Sequence, residues 1–201
     1  MVHGRNQKGV TMKLNKRMSV PVVAGLAFML GAGLTFAAEN AERGQLSARD
    51  YKFLKEAASG GMAEVELGEM AKTRGTDQSV RSFGERMVTD HKKANDELKQ
   101  IASSKGVTIP TEVASSDRTT FDKLQKASGA QFDKEYASAM LKDHRKDIKE
   151  FKDAADDVKD PDLKAFAQKT VGTLQDHLRQ AEDMARTVKA ETITSTTTRT
   201  P

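Results

Sequence analysis

Residues 83–93 (FGERMVTDHKK) and residues 136–146 (YASAMLKDHRK) carry the same pattern at an offset of 53 positions. Phe83, Met87 and Asp90-His91 in the first stretch correspond to Tyr136, Met140 and Asp143-His144 in the second. Residues spaced by four share one face of a helix, so each stretch sets an aromatic ring, a thioether and an imidazole in a single row. A third pair, Asp176-His177, follows, and every histidine after position 38 is preceded by an aspartate.

Outward from these rows, apolar residues recur at three- and four-residue spacing through four long segments. The first runs from about Ser47 to Arg74, with Ser47 and Asp50 resembling an N-cap box and Gly75 as the stop. The second covers about Asp77 to Ser104 and ends before Gly106 and Pro110. A polar connection with a short helix, Asp117 to Lys126, is closed by Gly129. The third spans about Ala130 to Val158. Asp160 caps and Pro161 opens the fourth, which runs to about Lys189. Tight joints make antiparallel hairpins of helices one and two and of helices three and four. The middle connection, roughly 25 residues, greatly exceeds the ~2–8 usual between bundle neighbours. It is long enough to run the length of a bundle and leave helices two and three parallel. The expected fold is all-α: a ferritin-like four-helix bundle with one long crossover between helices 2 and 3.

Each helix turns an ionisable group into its apolar stripe at 100° per residue. Glu64 falls inside the stripe of the first helix, and His91 near the centre of the second. The third carries Asp143 and Asp147, with His144 nearer the edge; the fourth carries His177. Glu64 and His91 sit within roughly 6 Å of one height in an antiparallel pair, at ~1.5 Å of rise per residue. His144 and His177 are related in the same way. A polar layer midway along the bundle follows.

The 201 residues include 33 Lys and Arg against 29 Asp and Glu, a net charge of +4. Five of the basic residues (Arg5, Lys8, Lys13, Lys16, Arg17) precede position 38, and no acidic residue precedes Glu39. Without that segment 28 basic residues face 29 acidic ones, a net charge of −1. A nucleic-acid partner would call for a basic folded surface, and none is expected here. The basic start, the uncharged run Val20 to Ala38 and its small-residue end read as a secretory signal peptide, residues 1–37, followed by a linker, 38–46. Translation could begin at Met1 or Met12. Export to the periplasm is expected; the competing reading keeps residues 20–38 as an uncleaved inner-membrane anchor. Nothing after Ala38 is apolar enough to span a membrane, so a cleaved chain has no span. The bundle occupies 47–189, and the Thr-rich tail, 190–201, is expected to be disordered. With no Cys, disulfides, thiolate zinc sites and a cysteine nucleophile are excluded.

The stretch AASGGMAEVELGEMA (57–71), the motifs MVTDH (87–91) and MLKDH (140–144), and the spacing to Asp176-His177 together resemble a bacterial family of exported proteins. That family is catalogued as a domain of unknown function and often labelled predicted outer membrane proteins. The resemblance covers roughly residues 46 to 188. It implies a ferritin-like four-helix bundle and no established activity.

Two readings of the polar layer stand. In one, the chain is a non-catalytic binding or stress-related module whose Glu, His and Asp residues hydrogen-bond to one another and fix helix register. In the other, it is a metal-binding protein, redox or metal-handling, with Glu64, His91, Asp143, His144, Asp147 and His177 as candidate ligands for iron, copper or zinc. Asp90 and Asp176, about 100° away, are placed to orient a neighbouring histidine. The di-iron signature Glu-x-x-His is absent: Val88, Leu141 and Leu174 stand three residues before the histidines. Met87 and Met140, one turn before His91 and His144, add appeal to copper. No phosphate loop, nucleophile elbow or zinc-protease motif is present, so no catalytic residue is assigned. The sequence names no protein partner.

Overall fold

The computed structural model describes residues 43–115 and 118–197, with side chains to position 189; the signal-peptide and start-site readings lie outside the described residues. Five helices and no strand are present among them: α1 (Ala48–Arg74), α2 (Gln78–Ser104), α3 (Arg118–Lys126), α4 (Gly129–Asp157) and α5 (Pro161–Thr197). Ser47 Oγ accepts from Asp50 N–H at 3.1 Å, Asp77 Oδ1 from Ser79 N–H at 2.6 Å, and Asp160 Oδ1 from Asp162 and Leu163 N–H at 3.1 Å each. These satisfy amides that a helix start leaves unpaired. The backbone of α5 continues to Thr197, beyond the expected end at Lys189. No glycine or proline occurs between Lys189 and Pro201 to stop it.

α1 lies along α2 and α4 along α5, and the two hairpins meet chiefly through α2 and α5, with α1 against α4. Two buried aspartates fix how they meet. Asp50, near the start of α1, accepts from Lys159 and Asp160 N–H at 3.1 Å each, at the turn between α4 and α5. Asp133, near the start of α4, accepts from Thr76 N–H at 3.0 Å and Asp77 N–H at 2.9 Å, at the turn between α1 and α2. The same shift of 83 positions relates both carboxylates and both turns. The Asp50 side chain thus bonds across the bundle rather than back to its own cap. Because α2 and α4 both start at the Asp133 end, they run parallel. The connection between them climbs beside α1: Ala114 N–H donates to Ser59 Oγ at 2.9 Å, and the Arg74 guanidinium donates to the carbonyls of Leu124, Gln125 and Ala127.

Apolar packing forms two clusters. One gathers Leu67, Met70, Val80, Phe83, Met87, Phe132, Tyr136, Met140, Met184 and Val188 at the Asp133 end. The other gathers Leu54, Ala58, Leu98, Ala102, Val158, Leu163 and Phe166 at the Asp50 end. On each long helix one buried ionisable residue falls between the two in sequence: Glu64, His91, His144 and His177. The 53-residue echo now has a structural basis. Parallel helices bring like positions to like heights, so Phe83 faces Tyr136 and His91 faces His144, each with ring centroids 6.2 Å apart.

α1 and α2 touch backbone to backbone where two glycines cross. A Cβ on Gly68 would lie 2.8 Å from the Gly84 carbonyl oxygen, and one on Gly84 would lie 2.7 Å from that of Gly68. Gly60 has nothing within 4 Å of the same position. Gly84→Ala is therefore expected to destabilise by about 1–2 kcal/mol, overpacking exceeding the helix-propensity gain. Gly60→Ala should stabilise by about 0.5–1 kcal/mol. Urea titration of both variants checks the opposite signs.

Candidate metal centre

His91 from α2, His144 from α4 and His177 from α5 converge in the layer between the two apolar clusters. Ring centroids are 5.4 Å apart for His91–His177 and for His144–His177. One ring nitrogen from each lies within 4.8 Å of the other two. Among the described residues, no other three His, Cys, Asp or Glu side chains come together in this way. All three imidazoles are buried; His144 and His177 are 0% exposed. Phe83 meets His144 and His177 edge-on, at 6.2 and 6.3 Å between centroids.

Hydrogen bonds fix the tautomers. His144 Nδ1 lies 2.9 Å from the Met140 carbonyl oxygen, which can only accept, so Nδ1 carries the proton and Nε2 the lone pair. His177 Nε2 lies 2.8 Å from Asp90 Oδ2 and donates to it, leaving the lone pair on Nδ1. The remaining nitrogens, His144 Nε2 and His177 Nδ1, together with His91 Nε2, are buried and have no hydrogen-bond partner among the described residues. Donating one N–H to a carbonyl or carboxylate and offering the other nitrogen is the usual posture of a metal-bound histidine. Arg86 Nε donates to the same Asp90 oxygen at 3.1 Å. Asp176, the other aspartate placed to orient a ring, pairs with Arg179 instead.

Burial sets the protonation states. Desolvation first, then the charges of His177 and His144, push His91 down to about 3. Desolvation and His177 bring His144 down to about 4. His177 is also lowered by burial, against the pull of Asp90. Partial burial opposes charge on Asp90, but the hydrogen bonds and charges of His177 and Arg86 outweigh it and hold its pKa below normal. Three neutral imidazoles therefore face one another at neutral pH.

The other candidate ligands stand apart from this triad. Glu64 is 4% exposed with Oε2 unpartnered among the described residues, and burial, then Asp147 and Asp143, raise its pKa well above 4.5. Asp143 and Asp147 are only partly buried, whereas His144, placed near the stripe edge by the sequence, is fully enclosed. The buried face of α4 takes in Asp133, Ala137 and His144 on one side and Phe132 and Tyr136 on the other, so it is wider on the His144 side than the apolar stripe alone. Tyr136, whose hydroxyl is also buried without a partner among the described residues, is raised well above 10 by burial and then by Glu64.

The metal-free protein should lose stability as pH falls from 6.5 toward 4. Unfolded histidines take up protons near their ordinary pKa of 6.5 while His91 and His144 resist until about 3 and 4. The unfolded state then binds more protons, which favours it. Glu64 works the other way, since its raised pKa gives stability below its ordinary 4.5 that is lost as pH rises through the folded value. Three histidines outnumber one glutamate, so the net slope is positive. Thermal melts between pH 4 and 7 in chelator measure it; a flat or inverted profile would contradict these shifts.

The chain belongs to the family described as Domain of unknown function (DUF4142), which matches residues 35–184. No curated protein matches it significantly. Its fold is similar to that of a DUF305 fragment from Deinococcus radiodurans, with a TM-score of 0.62 and 13% identity over 70% of this chain and 98% of that one. It is also similar to CopM in the Cu(II)-bound form, with a TM-score of 0.59 and 13% identity over 69% of this chain and 96% of that one.

Proposed function

We propose that this DUF4142 protein is an exported, ferritin-like helical bundle that binds one first-row transition-metal ion through His91, His144 and His177. One observation carries the reading: three converging imidazoles each leave a buried nitrogen without a partner among the described residues, while hydrogen bonds to Met140 and Asp90 fix two of the rings. A network serving only helix register would close on itself, because an unsatisfied buried polar atom costs about 1–3 kcal/mol. An ion coordinated by three lone pairs satisfies all of them at once. Neutral imidazole suits copper, zinc, iron and nickel, and Asp90 is the outer carboxylate that steadies such a ligand. CopM, similar in fold, is known with Cu(II) bound. The basic, apolar N-terminal segment supports export to the periplasm; retained as an anchor, it would tether the bundle to the inner membrane instead.

Metal analysis of untagged protein, purified from cells supplemented with copper, zinc, iron or manganese, tests the proposal. One ion per chain is expected. Sub-stoichiometric metal under every supplement, together with no uptake in vitro, would defeat it.

A further inference from the structure

Each histidine supplied by the parallel helices follows a methionine by one turn: Met87 precedes His91 and Met140 precedes His144. Both methionines are 0% exposed. They belong to the apolar cluster at the Asp133 end, which also holds the buried Met70 and Met184, while the cluster at the other end has no methionine. Phe83 of the methionine-bearing cluster meets the His144 and His177 rings edge-on, so that cluster directly adjoins the imidazole layer. The layer is thus nitrogen-lined, with thioethers on one side only.

Three further facts bear on which ion suits it. The three imidazoles bring no negative charge of their own, and the Asp90 carboxylate behind His177 is shared with the Arg86 guanidinium, so a divalent ion is poorly neutralised there and costs far more to enclose than a monovalent one, since the charging cost rises with the square of the charge. The chain has no Cys, and among the described residues no fourth His, Asp or Glu joins the grouping, so the closed four-ligand tetrahedron of a structural zinc site is not formed, and zinc here would need a water in the fourth position. Asp90, the carboxylate bonded to a ring of the triad, spends Oδ2 on both His177 and Arg86. Copper(I), monovalent and soft, accepts three neutral nitrogens and favours thioether neighbours.

Resting on the metal-binding reading above, we propose that the ion held there is Cu(I), with Met87 and Met140 as the soft-donor side that selects it over Zn(II) and Cu(II). Methionine is also ordinary core filling, so the test must separate a donor from a filler. Leucine keeps the volume and costs under about 1.5 kcal/mol, which leaves Met87→Leu, Met140→Leu and the double variant folded.

Anaerobic titration would use Cu(I) buffered by bicinchoninate, and Zn(II) against a chromophoric chelator. Wild-type protein is expected to withdraw one Cu(I) per chain and to hold it more tightly than Zn(II). The double leucine variant should lose at least about tenfold in Cu(I) affinity while Zn(II) affinity stays within about threefold. X-ray absorption of the Cu(I)-loaded wild type should show sulfur scattering. Tighter binding of Zn(II), unchanged Cu(I) affinity in the double variant or a sulfur-free copper spectrum would each overturn the proposal while leaving a metal site intact. Wild-type protein that takes up neither ion would overturn the Cu(I) proposal, and one that also takes up no iron, nickel or manganese would overturn the metal-binding reading itself.

Discussion

His144→Ala is expected to abolish tight metal binding, lowering affinity by more than about a hundredfold, since removing a ligand costs more than the ~10–100-fold typical of an outer-sphere partner. His144 is 0% exposed and pinned by its Nδ1–H to the Met140 carbonyl, so no other orientation of the ring competes with ligation. Alanine removes one of the three nitrogen donors, and the two imidazoles left hold an ion far less tightly. The cleanest readout is thermal: at a metal concentration about 100 times Kd, binding adds about 2.7 kcal/mol to stability, and the variant should show no such gain. Asp90→Asn should fall between the two, because a carboxamide can still accept from His177 Nε2 but without charge. A wild-type protein whose melting temperature ignores metal would mean that the triad is only a packing element.

Asp133→Ala is expected to cost about 3–5 kcal/mol in the metal-free protein, from two orphaned backbone amides at about 1–3 kcal/mol each and a lost hydroxyl partner. Asp133 is 2% exposed and its two oxygens take the Thr76 and Asp77 amides and the Thr76 hydroxyl. Against a typical stability of about 5–15 kcal/mol this is a large fraction. Asn, with one acceptor oxygen, should recover part of the loss. Asp50→Ala, acting on the Lys159 and Asp160 amides, should behave similarly on a smaller scale. Urea denaturation measures both; an effect below about 1 kcal/mol would show that the hairpins hold register without these clasps.

Much of the architecture could be read before the structure. Ser47 and the Asp160-Pro161 pair marked helix starts because capping depends on a few adjacent residues, and the structure gives each its capping bond or position, with Asp77 capping the second long helix as well. His91 and His177 were correctly placed inward by the 3.6-residue period. His144 and the two aspartates beside it were ranked in the wrong order. Periodicity weighs all apolar residues equally, whereas α4 buries a row that includes Asp133, a residue no hydrophobic stripe would count. Asp50 was read as part of a local cap, although its carboxylate bonds a turn 109 positions away.

By itself the sequence determined the amphipathic helices, the hairpin joints, the long connection and the inward placing of Glu64, His91 and His177, because each follows from local spacing and turn chemistry. Only the tertiary structure decided which of those groups meet. His91, His144 and His177 come within 4.8 Å of one another while Glu64, Asp143 and Asp147 stay outside. The physical reason is that helical period fixes a direction only to within tens of degrees. Convergence to bonding distance depends on each helix's rotation and height, set here by the Asp50 and Asp133 clasps and the close crossing of Gly68 and Gly84.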